Sequence, residues 1–474
     1  MPSYKTTIHW FRRDLRLTDN TALLHASADA ETVVPVYLLS DWKADHNWTG
    51  PARQQFLCGC LDSLSNDLKS IDSRLILRDG GQVEAMRQLI KDTKAEAIYF
   101  NRDPDPFGKA MEAKMRELAR EIGIEIHDFK DVVLHEHDEI ANLSDKPYKV
   151  YTPYSKNWFT HDKADDRGRV RVLGKTPANL KSKPVPTLSR WGLDSSGANL
   201  IPAGEKAAHN RLKTAFDGIL QRYADDRNTP IGQTTSMLGA DLRFGTISPR
   251  QVFHRAEKAI AETKSGSERE SLHTFQKQLA WREFFMAILG HFPEVLETDF
   301  AEKWRGLKWD QPEDFPDKWK AWKTGKTGFP IVDAGMRQLV ATGFMHNRVR
   351  MIVAMFLTKD LHFHWIHGES FFMQWLLDGE IANNNGGWQW SAGTGADAAP
   401  YFRIQNPWTQ TARFDLQGEY IKKWVPELAK CDAKAFTKAP EGNSPIADDY
   451  VLPILQHKPE REETLARFKA HAGG

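Results

Sequence analysis

The chain has 474 residues, of which 41% are hydrophobic, so it can bury the cores of two domains, and its formal net charge is only +1. A charge this small excludes attraction to nucleic acid through a global field and leaves only local basic patches. The three cysteines have no metal-binding spacing and make no disulfide framework, and no apolar run suits a signal peptide or a membrane span, so we expect a cytoplasmic protein.

The first part of the chain alternates short β-rich runs with amphipathic helical runs. The strand-like runs are KTTIHWF, TVVPVYLL, SRLILRDG, AEAIYFN and IEIHDF, and the helical runs between them include GQVEAMRQLIKDTKAE and PFGKAMEAKMRELAREIG. This alternation predicts an α/β domain with a doubly wound parallel sheet over residues 1–130. No G-x-G-x-x-G follows the first strand, so the sheet lacks the dinucleotide-binding fingerprint.

In the rest of the chain the sequence pattern changes twice. Pro, Ser, Gly and Lys gather in LGKTPANLKSKPVPTLSRWGLDSSG, which indicates an interdomain linker within residues 131–203. Helical periodicity then dominates from residue 204 to residue 474 and predicts a larger all-α domain.

Two segments of the helical part carry candidate binding residues. In TTSMLGADLRFGTISPRQ, Thr235 and Ser236 precede a helical run, where hydroxyls can hold a phosphate, although an ordinary N-cap is the preferred interpretation. In FQKQLAWREFFMAIL, Gln278, Trp281 and Arg282 share one helix face. That face suits a flat heterocycle through stacking, hydrogen bonds and charge, and it suits a packed helix with a salt-bridged arginine equally well.

A third helical segment, GFMHNRVRMIVAMFLTKDL, places Asn347, Arg350 and Met351 on one face. An asparagine on an otherwise apolar helix needs a buried partner. Asp378 can form a buried pair with Arg350, which indicates a site or, at least as readily, a structural ion pair.

The stretch ANNNGGWQWSAGTGADAAPYFRIQNP, residues 382–407, fits neither a helix nor a strand pattern. Asparagine and glycine are poor helix formers, so we expect irregular backbone just before Trp388 and Trp390.

These motifs, together with GKTGFPIVDAGMRQL and the N-terminal HWFRRDLRLTDNTAL, resemble the photolyase/cryptochrome family over nearly the whole chain. They are most similar to the bacterial class I cyclobutane pyrimidine dimer photolyases. The resemblance implies an α/β antenna domain, a helical domain that holds FAD, and a monomer that acts on UV-damaged DNA in the bacterial cytoplasm. It also implies that blue light excites reduced FAD. The excited FAD donates an electron to a flipped-out dimer, and the dimer then splits.

The resemblance also assigns roles to single residues. The positions that match FAD-binding groups are Tyr223, Thr235, Ser236, Met237, Leu238, Gly239, Asn347, Arg350, Asp378, Gly379, Glu380 and Asn384, the last of them opposite flavin N5. The positions that match lesion or DNA contacts are Gln278, Trp281, Arg282, Arg348, Met351, Trp390 and Arg403. The tryptophans that match the electron-transfer chain are Trp388, Trp365 and Trp309. The irregular stretch is expected to let short amides approach the flat ring closely.

Several positions depart from the family pattern. Gln278 stands where dimer photolyases of this class usually carry Glu, as it does in (6-4) photolyases, but Asn347 stands where those enzymes carry His and favours the cyclobutane dimer. The other replacements are Glu380 for Asp, Met237 and Gly239 for Arg and Ser, and Phe344 for Trp.

The resemblance leaves the antenna and two rival functions open. Arg53 and Asp103 match the place where relatives hold a second chromophore, an 8-hydroxy-deazaflavin type or methenyltetrahydrofolate; the alternative is a helix N-terminus capped by Asp105. The rivals are a (6-4) photolyase and a cryptochrome-like FAD photoreceptor without repair. The lesion-pocket aromatics and the lack of a long C-terminal extension after Lys469 favour repair.

Overall fold

The computed structural model describes residues 2–40, 48–442 and 444–473. Contacts divide the chain into two compact units. Unit 1 comprises Met1–Ser195, Ile201–Gln221 and Ser236–His291, and unit 2 comprises Ser196–Leu200, Arg222–Thr235 and Phe292–Gly474. The domain boundaries predicted from the sequence, at residues 130 and 203, differ from the boundaries of these two units. They stay a prediction. No helix in the described part of the chain is long and apolar enough to cross a bilayer.

Unit 1 contains a five-stranded sheet in which every neighbouring pair of strands is parallel, in the order β3-β2-β1-β4-β5. The strands are β1 (Tyr4–Phe11), β2 (Ala30–Leu38), β3 (Ile76–Arg78), β4 (Ala97–Asn101) and β5 (Glu125–Phe129). The helices between them are α1 (Thr21–Asp29), α2 (Pro51–Lys69), α3 (Gln82–Thr93) and α4 (Pro106–Ile122). The predicted doubly wound α/β fold is therefore confirmed.

The sheet follows from near-continuous apolar strands. Ile8 pairs with Val34 on one side and with Ile98 on the other, and all three side chains are fully buried. Strands with helices on both faces need such runs, because neither face meets water.

Unit 1 also contains helices that follow the sheet in the chain. They are α5 (Tyr151–Thr160), α6 (Glu205–Thr214), α8 (Gly239–Phe244), α9 (Pro249–Glu262) and α10 (Gly266–His291). Helix α5 lies inside the segment predicted as linker, where Pro and polar residues hid the helical pattern.

A buried network of four charges explains why α9 clusters with the sheet. Arg250 of α9 donates to Asp131 at 2.7 Å and to Asp19 at 3.1 Å, and Arg16 also pairs with Asp131. Burial alone would raise the pKa of Asp131, but the guanidiniums of Arg16 and Arg250 outweigh it and lower that pKa. Each buried charge thus has its partner, without which burial would be prohibitive.

Unit 2 is helical, as the periodicity predicts. Its helices are α7 (Tyr223–Asp226), α11 (Pro316–Thr324), α12 (Pro330–Thr342), α13 (Asn347–Met355), α14 (Trp365–Trp375), α15 (Ile381–Ala392), α16 (Pro407–Phe414), α17 (Glu419–Trp424) and α18 (His457–Gly473). A π-helical turn, Phe356–Asp360, follows α13. The core is rich in aromatic side chains, among them Trp322, Phe329, Trp365 and Trp388.

Helix α15 corrects a prediction, because the Asn/Gly stretch expected to be irregular is helical over Ile381–Ala392. Tertiary hydrogen bonds outweigh its poor helix propensity. The Asn384 amide donates to the Glu369 carbonyl at 3.0 Å, and the amides of Asn385 and Gln389 donate to the Val295 carbonyl at 3.0 and 2.8 Å.

Candidate functional site

The predicted Arg350–Asp378 pair forms in unit 2. The Nη2 atom of Arg350 lies 2.8 and 3.1 Å from the two carboxylate oxygens, and its Nε donates to the Met345 carbonyl at 2.7 Å. The side chains are 23% and 18% exposed, so the pair is only partly buried. Its charges remain available to a polar ligand.

Helix α13 supplies the other residues that were predicted on this face. Asn347, its first residue, is exposed, so the predicted need for a buried partner is wrong. Met351 is half-buried, and its sulfur lies 3.6 Å from the guanidinium of Arg348. Both Asn347 and Met351 can therefore meet a ligand.

Helix α15 fixes the orientation of Asn384. Its NH₂ group is engaged by the Glu369 carbonyl, so its oxygen is the group that it can offer to a ligand N–H. Glu380, at the start of the helix, is buried, and its carbonyl accepts the Asn384 N–H at 2.8 Å. Sequence reasoning missed Glu369, whose carboxyl is buried beside Asn385; burial raises its pKa to about 8.

The three predicted electron-transfer tryptophans all lie in the core of unit 2 or against it. Trp388 is 2% exposed and packs against Phe372 with ring centroids 4.9 Å apart. The ring of His364 lies between Trp365 and Trp309, at 5.1 and 5.5 Å from their centroids. Trp390, two residues after Trp388, is half-buried.

An arginine cluster was only partly predicted. Burial lowers the pKa of Arg348, and the positive charges of Arg227 and Arg413 lower it further. Arg348 donates to the side-chain oxygen of Asn228 at 2.7 Å and lies 4.5 Å from the Phe414 ring. Within the described residues, no ion pair joins any of the three arginines to a carboxylate. A cation cluster without carboxylates is typical of a site for anions.

Sequence reasoning found Arg348 and missed its two partners, because they lie far away in the chain and no periodic pattern connects them. Arg403, another predicted DNA contact, is exposed in the turn that follows α15, next to Phe402, which is 60% exposed.

Helix α10 of unit 1 carries the predicted lesion contacts. Trp281 stacks on Tyr151 of α5 with centroids 3.6 Å apart and planes 8° apart, a partner that the sequence did not indicate. Gln278 is half-buried, and its NH₂ group donates to the Thr274 carbonyl at 3.1 Å, which leaves its oxygen for other donors. Arg282 donates to the Val132 carbonyl at 3.0 Å.

The segment around Ser236 behaves differently from the preferred interpretation as an N-cap. No side chain caps α8, and Ser236 accepts from the Leu238 N–H at 3.4 Å. Met237 has a left-handed backbone with φ of 56°, which costs energy for a non-glycine residue, and Gly239 begins α8. Two further predicted FAD-binding residues, Thr235 and Tyr223, lie in unit 2. Thr235 is half-buried, and Tyr223 is buried. Burial raises the pKa of Tyr223 to about 12.

The predicted antenna residues are both buried in unit 1. Arg53 donates to the Trp48 carbonyl at 3.1 Å. Asp103 pairs with Arg13 at 2.9 Å; burial opposes its ionisation, but nearby arginines lower its pKa. Asp105 accepts the Gly108 N–H at 2.8 Å and caps α4, so the predicted cap is confirmed.

Comparisons with known proteins agree over the whole chain. Residues 7–170 match a family model described as DNA photolyase, and residues 275–470 match one described as the FAD binding domain of DNA photolyase. A deoxyribodipyrimidine photo-lyase of Synechococcus is 37% identical, over 97% of this chain and 96% of its own.

Two solved structures are also similar. A class III photolyase from Agrobacterium tumefaciens has a TM-score of 0.91 at 36% identity, covering 100% of this chain and 99% of its own. An archaeal photolyase from Sulfolobus tokodaii with two FAD molecules has a TM-score of 0.83 at 28% identity, covering 98% and 100%.

Proposed function

The chain belongs to the DNA photolyase family, and from that premise we propose that it splits cyclobutane pyrimidine dimers in UV-damaged DNA with blue light, as a cytoplasmic monomer. The observation that carries the proposal is the arrangement of α13 and α15. The Arg350–Asp378 pair, the Asn384 oxygen and Trp388 all lie within residues 275–470, the part that matches the FAD-binding model.

The residues of α13 and α15 fit FAD. A Cβ atom built at Gly387 of α15 would meet no atom within 4 Å, so the backbone there is open to a flat ring. The exposed Asn347, the Asn384 oxygen and the partly buried Arg350–Asp378 pair offer donors and acceptors of the kind that a flavin edge needs. When bound and reduced, FAD supplies the excited electron that opens the cyclobutane ring.

The arginine cluster is proposed to hold the phosphates of the damaged strand. Three guanidiniums that no carboxylate among the described residues pairs with suit the phosphate backbone, and they position DNA without reading its sequence. This local patch resolves the apparent conflict between a net charge of +1 and DNA binding.

The lesion contacts are proposed on aromatic and amide side chains. Stacking on an aromatic side chain, for which Trp281 and Trp390 are the candidates, contributes roughly 1–3 kcal/mol per base, which offsets much of the cost of flipping out a damaged pair. One N–H of the Gln278 amide is used by the Thr274 carbonyl; the second can donate a hydrogen bond to a thymine carbonyl, but an amide cannot supply a proton. This amide favours the alternative, a (6-4) photolyase, whereas the asparagine at Asn347 favours the dimer.

The class and the antenna also stay proposals. The chain was predicted to be of class I, while the solved relative with a TM-score of 0.91 is a class III photolyase.

We place a second chromophore, of the deazaflavin or folate type, near Arg53 and Asp103. The T-shaped pair of Trp48 and Phe107, with centroids 5.6 Å apart, supports an aromatic ligand there.

One experiment separates the three functions. The protein is illuminated with an oligonucleotide that holds a cyclobutane dimer and, separately, with one that holds a (6-4) lesion, and the products are resolved by chromatography; a dark sample is the control. We expect only the dimer to be restored, and only in light. Repair of the (6-4) lesion alone would show that the protein is a (6-4) photolyase. Repair of neither lesion would favour the cryptochrome-like photoreceptor.

A further inference from the structure

Trp365 has a charged hydrogen-bond partner in the core of unit 2. Its indole Nε1–H donates to Asp299 at 2.8 Å, and the two residues are 0% and 3% exposed. A neutral carbonyl would satisfy a buried indole equally well, whereas a buried carboxylate is costly. The choice of a carboxylate therefore points to a role beyond packing.

The charge of Asp299 is only partly balanced by its surroundings. The groups that face it are Lys359 and His364, and the Arg305 Nε donates to the backbone carbonyl of Asp299 at 3.0 Å. No cation in the described part of the chain lies within ion-pair distance of the Asp299 carboxylate. Lys359 directs its ammonium to the Ala392 carbonyl. Burial lowers the pKa of His364 and so favours its neutral form, and burial lowers the pKa of Lys359 to about 7, although Asp299 opposes that shift.

Hydrogen bonds hold the segment that carries Asp299 against α15. The Phe300 N–H donates to the side-chain oxygen of Gln389 at 2.8 Å, and the Ala301 N–H donates to the Thr394 carbonyl at 2.9 Å. Gln389 directly follows Trp388 in the chain. The carboxylate is thus fixed beside Trp365 by the same helix that positions Trp388.

Trp309 differs from Trp365 in this respect. Its indole nitrogen is buried and has no hydrogen-bond partner within the described residues. Oxidation makes an indole N–H far more acidic, so an oxidised indole loses its proton, and with it its positive charge, where a base can accept that proton. Such a base is present at Trp365.

We propose that Asp299 is the counter-charge and proton acceptor of oxidised Trp365, an inference that rests on the proposed electron chain. Trp365 passes one electron to the oxidised, positively charged Trp388, which returns to a neutral indole. The Nε1 proton of Trp365 moves to the Asp299 carboxylate. The products are a neutral Trp365 radical and a neutral carboxylic acid, so electrons, protons and net charge balance.

Asp299→Asn tests this proposal, because an amide oxygen can accept the hydrogen bond but carries no charge and takes no proton. The variant is made in a Trp309→Phe background and studied by transient absorption after a blue flash, in H₂O and D₂O. With Asp299 present we expect the spectrum of a neutral tryptophan radical and a solvent isotope effect. With Asn we expect the cation spectrum, no isotope effect and a photoreduction yield lower by on the order of tenfold.

Asp310→Asn is the matched control. Asp310 lies in the same region of the chain but pairs with Arg467 at 2.7 Å, so its neutralisation should leave the Trp365 radical spectrum unchanged. The Trp309→Phe protein with Asp299 intact keeps the test independent of whether the Asn variant folds. A persistent cation spectrum without an isotope effect in that protein overturns the proposal.

Trp365→Phe separates failure of the inference from failure of the proposed function. If this variant photoreduces at the parent rate, the electron chain itself is wrong. If it slows photoreduction while Asp299→Asn leaves the spectrum and isotope effect unchanged, only the role of Asp299 is overturned.

Discussion

Gly368→Ala should destabilise the protein through Trp388. A Cβ atom at Gly368 of α14 would lie 2.1 Å from Cη2 and 2.4 Å from Cζ3 of Trp388, and 2.6 Å from a methyl carbon of Leu357. Ordinary contact begins at 3.4 Å, so the ring must shift by 3.4 − 2.1 = 1.3 Å. The ring is 2% exposed and abuts Phe372, so such a shift disturbs its packing. Overpacking of this kind costs about 1–3 kcal/mol.

The assay is urea unfolding of the flavin-free protein, followed by tryptophan fluorescence and circular dichroism. Gly387→Ala is the matched control on α15, because its Cβ atom would meet nothing within 4 Å. Alanine there should stabilise the protein by about 0.4–1 kcal/mol, since it restricts the unfolded chain. If Gly368→Ala raised the stability as much as the control does, the close packing of Trp388 on α14 would be refuted.

Three further predictions concern the lesion, the DNA and a buried lysine. Gln278→Glu should preserve or raise dimer repair, measured as product formed per absorbed light; loss of repair would contradict the proposed role of this position. Arg413→Ala should weaken binding to damaged DNA and make the slope of log K against log salt shallower by about 0.9; an unchanged slope would place Arg413 away from the phosphates. Because burial lowers the pKa of Lys359 to about 7, the unfolded chain binds more protons above that pH. Stability should therefore rise between pH 7 and 8.5, by at most ~1.4 kcal/mol per unit, and Lys359→Met should flatten the rise measured by unfolding at each pH.

The sheet and the helical region followed from periodicity, because each strand and helix buries an apolar face that its own residues encode. The pair of Arg350 with Asp378 was also predicted, from the charges of two nearby segments. Helix α15 was not, because its stability comes from bonds to Glu369 and Val295 that local propensity does not contain.

The contacts that the sequence did not predict are long-range. Tyr151 stacks on Trp281 across 130 positions of the chain, and it begins a helix inside an apparent linker. The arginine cluster brings Arg227 and Arg413 to Arg348 from two other segments. Neither arrangement leaves a local pattern, so a single sequence cannot reveal it.

The four-charge network has a consequence for synthesis of the chain. Arg250 reaches Asp19 across 231 positions, and it reaches Asp131 across 119. On the ribosome, the sheet strands emerge together with Arg16, which pairs with Asp131, but long before Arg250, which pairs with Asp19. Until α9 has been translated, Asp19 therefore stays hydrated and the four-charge network is incomplete. A fragment that ends at residue 195 lacks Arg250 and should be less stable for the same reason.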